Sequence, residues 1–558
     1  MPMTVPIIIN EIAQQTSWQI LGQERLASRQ AKFLPIPSCL HESVRNLIAL
    51  SYPDGLYGHQ TEAIDAGLKG HDICLATSTA SGKSLVYMAL AADMILRDKH
   101  SKVIAFYPAR ALIQDQLGKW EAILKPLNLN FGYIDGSLPM QKRSPVLDIS
   151  RVLLMTPDVA HAWLMSNLKD RVIRSFLRNI NMLILDEAHI YEGVFGTNMA
   201  YFLRRLQALL KPQRIITSTA TLDNPAKFVY QLTGRQPRSF GPEADCSETP
   251  PKTILLAKKA ADTSFECMVD LLGSLAIGYK GKFLAFADSR RMVEQLVMAL
   301  RRYANPETKG DKNIDRVGIT KEPGIKANPE DMARAARVLP YRAGYESVDR
   351  KAIQKALATG NLTGVVSTSA LELGIDIGDI HLIVLLNQPP SLKAFWQRVG
   401  RAGRKGPGVC LFIDNWGTIA DNPRGLRKYL KTPLEQCWLY LQNRYIQYTN
   451  AICAAHEYRD FGEDRYDAKP FDSLPTKFNK FRDNEMDPSV PIPQDLYSLK
   501  QRAQDGPHRE FPLRTGMEKN FRVKERSGKS LGKLTFSQTL REAYPGAVYY
   551  YMGRPYRV

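Results

Sequence analysis

Three short stretches of this chain carry residue types that could do chemistry together. Thr77-Ser-Thr-Ala-Ser-Gly-Lys-Ser84 ends in Gly82-Lys83-Ser84, Asp186-Glu-Ala-His189 sets two carboxylates side by side, and Gln397-Arg-Val-Gly-Arg-Ala-Gly-Arg404 places arginines among glycines. A turn of the first kind, opening a helix, offers backbone N–H groups to phosphate oxygens. Lys83 adds a point charge for the β- and γ-phosphates, and the Ser84 hydroxyl suits Mg²⁺. Asp186 would hold the same Mg²⁺ and Glu187 would polarise an attacking water. Arg401 and Arg404, three apart and so expected on one helical face, could stabilise charge on a transferring phosphoryl group. Gln60, beside Tyr57, has a two-sided amide able to read an adenine edge. The implied chemistry is ATP hydrolysis, with groups drawn from two halves of the chain roughly 200 residues apart.

These groups need a scaffold that delivers them to one place. Apolar runs at 73–76, 103–107, 152–155, 182–185 and 215–217 each end in turn residues and lead into helical patterns; runs at 283–286, 365–367, 382–386 and 409–413 repeat the theme. Such alternation predicts two α/β lobes, each a parallel sheet covered by helices, with ligand-binding residues at the carboxyl ends of the strands. The first lobe is expected over 51–240 and the second over 253–420. A Pro-, Glu- and Asp-rich connection spans 241–252, and an aperiodic Lys-, Gly- and Pro-rich insertion spans 305–329. Residues 1–50 read as a helical extension. Residues 421–558 read as an α+β accessory region in which 434–456 is helical and 521–558 forms short strands.

The bulk numbers narrow the partner. At 558 residues the chain exceeds one core, and 75 Lys and Arg against 56 Asp and Glu give +19, an excess that favours a polyanion such as nucleic acid. Residues 500–558 hold 13 Lys and Arg against 5 Asp and Glu, interleaved with aromatics suited to phosphates and bases. The seven cysteines are scattered without zinc-ligand spacing, and no apolar run approaches a membrane span. A reduced, soluble, cytoplasmic protein is the expectation, with no membrane partner.

Together these motifs resemble the superfamily 2 DEAD/DEAH-box helicases, over roughly residues 50–415. Pro108-Ala-Arg-Ala-Leu-Ile-Gln114 resembles motif Ia, Thr156-Pro-Asp158 motif Ib, and Thr219-Ala-Thr221 the Ser-Ala-Thr motif with Thr for Ser. Phe286-Ala-Asp-Ser-Arg290 resembles motif IV, Thr368-Ser-Ala-Leu-Glu-Leu-Gly-Ile-Asp376 motif V, and Gln397 to Arg404 motif VI. The nucleotide loop departs from the usual pattern, with Thr77 for the first glycine and Ala80 where glycine is common. The stretch following Asp186, Tyr341-Arg-Ala-Gly-Tyr345 and Tyr544-Pro-Gly-Ala-Val-Tyr549 are similar to the bacterial MrfA/YprA-like repair helicases.

The resemblance implies two tandem RecA-like lobes and ATP with Mg²⁺. It implies an ATP site of Tyr57, Gln60, Thr79, Ala80, Ser81, Gly82, Lys83, Ser84, Gly374 and Asp376, with Gln397 joining Lys83, Asp186, Glu187, Arg401 and Arg404 in catalysis. His189, Thr219 and Thr221 would couple hydrolysis to movement. Arg110, Thr156, Asp158, Ser289, Arg290 and Thr368 would grip the strand. The implied activity is 3′ to 5′ movement on single-stranded or tailed duplex DNA, in repair or defence against foreign DNA. The alternatives are an ATP-gated binding subunit without strand separation, or an RNA helicase. Relatives usually continue into a four-cysteine domain, so a separate protein supplying it is a further expectation.

Overall fold

The computed structural model describes residues 5–210, 212–220, 222–259, 265–304, 329–372, 378–422, 425–462, 466–487, 489–514, 520–552 and 554–558. They divide into two units, one built from 30–247 with 434–517 and the other from 1–29, 248–433 and 518–558.

The first unit is organised by a seven-stranded sheet. Its order is Arg238–Phe240, Ile73–Leu75, Arg214–Ser218, Ile180–Leu185, Lys102–Phe106, Val152–Met155 and Phe131–Ile134, with every neighbouring pair parallel. Helices cover both faces, which is why the central strands are continuous apolar runs buried along nearly their whole length. Because all strands run the same way, residues 76, 107, 156, 186 and 219 emerge at one edge of the sheet. That edge is where an open α/β sheet gathers its ligand-binding groups.

The second unit repeats the plan with strands Trp18–Leu26, Lys252–Lys259, Gly408–Ile413, Leu382–Leu385, Phe283–Phe286, Gly364–Ser367 and Val338–Tyr341. All pairs are parallel except the first, in which Trp18–Leu26 runs antiparallel to Lys252–Lys259. The chain therefore folds as two tandem RecA-like lobes.

Three expectations need correction. The amino-terminal segment is not a helical extension alone: helix Val5–Gln15 leads into strand Trp18–Leu26, which becomes an edge of the second unit's sheet. Its side chains alternate in burial along the strand, but Leu21 faces outward and Glu24 is half-covered, so the apolar alternation that announces a strand is missing. Residues 421–558 do not form one accessory region, since 434–517 belongs with the first unit and 518–558 with the second. Within it, residues 434–443 are not helical. The helix begins at Arg444, where the Asn443 side chain accepts from the Tyr445 and Ile446 amides, and runs to Phe461.

The expected insertion at 305–329 lies, apart from Pro329, outside the described residues. No helix among the described residues is long and apolar enough to cross a membrane.

Candidate nucleotide-binding site

Strand Ile73–Leu75 delivers the loop 76–82 to the carboxyl edge of the first sheet, and helix Lys83–Arg97 carries it away. Two residues turn the loop back on itself. Gly82 has φ +78° and Ala80 has φ +66°, both in the left-handed region. A Cβ on Gly82 would sit 2.3 Å from the Gln60 side-chain nitrogen, so a larger residue would displace that amide as well as bear the left-handed φ. The Thr77 and Ser81 hydroxyls, 2.6 Å apart and buried, close the curl. Lys83 Nζ donates to the carbonyls of Thr77 (3.0 Å) and Ser78 (2.7 Å), which places the ammonium in the concavity where phosphate oxygens would enter. Burial pulls its pKa below the ordinary lysine value, and the charges of Glu187, Asp186 and Asp245 oppose that shift.

The acidic pair follows strand Ile180–Leu185 in the same sheet. Asp186 is 6% exposed; its carboxylate accepts from Ser218 Oγ (2.5 Å), the Glu187 amide (3.0 Å) and Tyr87 Oη (3.3 Å). Burial, with the adjacent Glu187 charge behind it, raises its pKa to about 6. Glu187 is held at φ +50°, ψ +47°, a conformation costing about 1–2 kcal/mol for a residue with a Cβ and one that concentrates at functional sites. Two adjacent carboxylates coupled to the Lys83 ammonium fit a divalent cation, whose charge would relieve their repulsion. Asp186, with Ser84 next to Lys83 at the start of the helix, could hold Mg²⁺.

His189 carries the site onward to the next strand. Its Nδ1 accepts from the Ala220 amide (3.2 Å) and the Thr219 hydroxyl (3.3 Å) and lies 3.5 Å from Glu187 Oε2. His189, next to the acidic pair, is thus bonded to the segment that follows strand Arg214–Ser218. Thr221 lies outside the described residues.

Several groups that hold this site were not legible in the sequence. Asp245, in the stretch expected to be a mere connection, accepts from the Ser78 amide (3.0 Å) and hydroxyl (2.5 Å) with one oxygen and from Ser247 with the other. Burial raises its pKa, but the serine hydroxyls and amides outweigh it and hold the carboxyl well below the usual range. His59 Nε2 donates to the Ser81 carbonyl (3.0 Å) while its Nδ1 accepts from the Cys246 amide (3.2 Å). The phosphate loop is therefore gripped from outside by both ends of its own lobe. Gln60 adds a third hold, accepting from the Tyr57 amide (3.0 Å) and donating to the Gly82 carbonyl (2.9 Å). Reading an adenine edge with this amide requires one of those bonds to open. The Tyr57 ring stacks against Phe33 (5.3 Å) and His59 (5.9 Å). Thr79 and Ala80 are exposed at the mouth of the loop.

The expected strand-gripping residues of this unit differ in what they offer. Arg110 is exposed at the start of helix Arg110–Leu124. Thr156 is 5% exposed, and Asp158 is engaged by Arg514, whose Nε lies 2.9 and 3.1 Å from its carboxylate oxygens.

In the second unit Ser289 caps helix Arg290–Ala304 through the Met292 amide (3.1 Å), Arg290 lies 3.6 Å from Glu542, and Thr368 precedes the short helix Ser369–Leu371. Gly374 and Asp376 lie outside the described residues. The arginine motif is not the helical face expected. Helix Leu392–Val399, which carries Gln397, stops at Gly400, and Gly403 at φ +58° turns the chain so that its amide donates to the Ile380 carbonyl (2.7 Å). Arg401 and Arg404 therefore stand on a turn. Arg401 is buried with Nη2 on the Glu372 carbonyl, while Arg404 is half-buried. Their neighbour Arg398 is a buried partner of the Glu372 carboxylate (2.5 Å), stacked over Phe286.

Comparison with known proteins agrees with this geometry. The DEAD/DEAH box helicase family matches residues 57–228 and the helicase conserved C-terminal domain matches 320–406. The uncharacterized ATP-dependent helicase YprA of Bacillus subtilis (strain 168) is 28% identical over 458 residues, 78% of this chain and 57% of YprA. The ATP-dependent helicase HRQ1 of Saccharomyces cerevisiae is 30% identical over 370 residues, 63% of this chain and 32% of HRQ1. The chain thus spans between a third and somewhat over half of these relatives. The crystal structure of the DUF1998 helicase MrfA bound to DNA and AMPPNP has the same fold, with a TM-score of 0.80 at 23% identity over all of this chain and 75% of that one. With a Gly-Lys-Ser loop, an acidic pair and an arginine motif carried on two RecA-like lobes, the chain carries the DEAD/DEAH box helicase domain and the helicase conserved C-terminal domain in that order, and it is similar to superfamily 2 helicases of the MrfA/YprA type.

Proposed function

We propose that this chain is the motor of an ATP-dependent DNA helicase that moves 3′ to 5′ on single-stranded DNA, acting in repair or in defence against foreign DNA. The observation that carries the reading is the nucleotide site of the first lobe. Lys83 is curled back onto the Thr77 and Ser78 carbonyls of its loop, and Asp186 and Glu187 emerge at the same sheet edge. Mg²⁺ held there by Asp186 and Ser84 would offset the charge that develops on the phosphates. The residues of the chain have separate tasks. The loop amides and Lys83 seat the phosphates, Asp186 and Ser84 hold the cation, Glu187 takes the proton of the attacking water, and Arg401 and Arg404 stabilise charge on the transferring phosphoryl group. His189, bonded to the Ala220 amide, relays the state of the acidic pair to the neighbouring segment. The excess of +19 charges and the exposed Arg110 suit a phosphate backbone.

The test is strand displacement on duplexes with a 3′ or a 5′ single-stranded tail, with ATPase stimulation by single-stranded DNA and RNA measured in parallel. Displacement from the 3′-tailed DNA alone, with DNA as the better stimulator, is the expected result. Nucleic-acid-stimulated hydrolysis with no displacement from either duplex identifies instead an ATP-gated binding subunit, and preferential stimulation by RNA overturns the DNA assignment.

A further inference from the structure

Asp158 and Thr156, the two residues of motif Ib expected to grip the strand, are poorly suited to it. A carboxylate repels phosphate, Thr156 is 5% exposed, and residues 152–164 contain no lysine or arginine. The cation at this place comes from far along the chain. Arg514 directs Nε at both oxygens of Asp158, donates from Nη2 to the Pro108 carbonyl of motif Ia, and lies over the Phe195 ring at 4.0 Å. One guanidinium thus joins the two segments that would line a strand's path on this lobe, with its face held by an aromatic ring.

The arm that carries it is fixed. His161 Nε2 donates to the Phe511 carbonyl (2.9 Å), Asn198 Nδ2 donates to the Leu513 carbonyl (3.1 Å), and Leu513 is buried in the lobe's core. Even so, the Arg514 side chain keeps 45% of its surface exposed, and Nη1 carries no hydrogen bond among the described residues. Nε and Nη2 are occupied by the protein, and the exposed edge is left for an outside acceptor.

We propose that Arg514 is a nucleic-acid-binding residue that presents Nη1 to a backbone phosphate of a single strand crossing motifs Ia and Ib, and that Asp158 orients it rather than touching the strand. The inference rests on the nucleic-acid reading of the function above. A neutralised carboxylate beside an oriented guanidinium removes the repulsion that Asp158 alone would impose, and the fixed fork loses little entropy when the phosphate arrives.

The test is equilibrium binding of fluorescein-labelled oligo(dT) to the whole chain, from about 50 to 200 mM KCl, with nucleic-acid-free ATP hydrolysis as the control. Arg514→Gln is expected to weaken binding by about tenfold, the size of one charge-assisted hydrogen bond, and to reduce the slope of log affinity against log salt by about 0.7, the value for one phosphate of a single strand. Basal hydrolysis should be unchanged. Arg514→Lys keeps the charge and should keep the slope, which separates lost phosphate contact from a damaged fold. Asp158→Asn should weaken binding while leaving the slope of the unaltered chain. If Arg514→Gln weakens binding with the slope unchanged, Arg514 is only a staple between segments and the proposal is overturned; an unchanged affinity overturns it as well. If the unaltered chain shows no salt-dependent binding, the proposed function fails and this inference with it, an outcome distinct from failure of the variant alone.

Discussion

The carboxyl of Asp186, raised to about 6 by burial and by the Glu187 charge beside it, bears on the Mg²⁺ proposed for this site. Below that pH Asp186 carries a proton that Mg²⁺ must displace; above it the carboxylate is ready. The Mg²⁺ concentration giving half-maximal ATPase should therefore rise as pH falls below about 6 and stay level above it, as a titration at several pH values would reveal. A requirement that is flat down to pH 5 would remove Asp186 from the metal site. Lys83→Ala and Glu187→Gln separate binding from chemistry. Lys83→Ala should abolish hydrolysis, whereas Glu187→Gln should lower kcat by at least about 10²-fold with ATP affinity nearly kept, read by single-turnover hydrolysis beside nucleotide binding. Hydrolysis at the unaltered rate in Glu187→Gln would mean that another group activates the water.

At the scale of elements, the phosphate loop is held by parts that the sequence does not mark. Asp245 reaches Ser78 across 167 positions and Arg514 reaches Asp158 across 356, and a lone carboxylate or guanidinium at such separation has no local signature. Lys83, Asp186 and Glu187 were legible because phosphate and metal chemistry demand particular residue types within a few positions of a strand end. The strands themselves were legible for a related reason, since parallel strands buried on both faces must be apolar throughout, as at Val152–Met155 and Phe283–Phe286. The segment 434–443 misled because Cys437 to Leu441 is a continuous apolar run whose burial alternates with period two. Cys437, Leu439 and Leu441 turn inward while Trp438 and Tyr440 stay exposed, and Gly193 pairs with Leu439 in a parallel bridge.

Two predictions belong to this scale. Asp245→Ala frees Ser78 and should raise the KM for ATP by about tenfold, the equivalent of one hydrogen bond to a charged group, with a smaller effect on kcat. An unchanged KM would show that the loop keeps its shape without this hold. Helix Arg444–Phe461 is fastened to helix Gly193–Leu209 by the fully buried pair of Glu457 and Arg205, with His508 Nε2 2.8 Å from Glu457 and His161 Nδ1 3.0 Å from Arg205. Glu457→Ala leaves the Arg205 charge buried and unpaired. It should cost about 3–5 kcal/mol in denaturant unfolding, and replacing both residues by methionine should cost clearly less. Equal losses in the two variants would mean that packing, not charge, holds the helices together.

At the scale of the whole molecule, the chain passes between its two units after residues 29, 247, 433 and 517, so neither unit is a simple consecutive segment. The residues proposed to act on nucleotide are divided between them, with Lys83, Asp186 and Glu187 in one and Gln397, Arg401 and Arg404 in the other. The central claim is that hydrolysis needs both. Arg401, buried against Glu372, has a structural share in its own unit; Arg404, half-buried on its turn, is the cleaner probe. The most direct measurement is the rate of ATP hydrolysis by Arg404→Ala at saturating single-stranded DNA, beside its ATP affinity. The account predicts a kcat lowered by about 10³-fold, as for loss of an arginine that stabilises the transferring phosphoryl group, with ATP affinity within about tenfold of the unaltered chain. A kcat within about twofold of the unaltered chain, a difference of well under 1 kcal/mol, would contradict it.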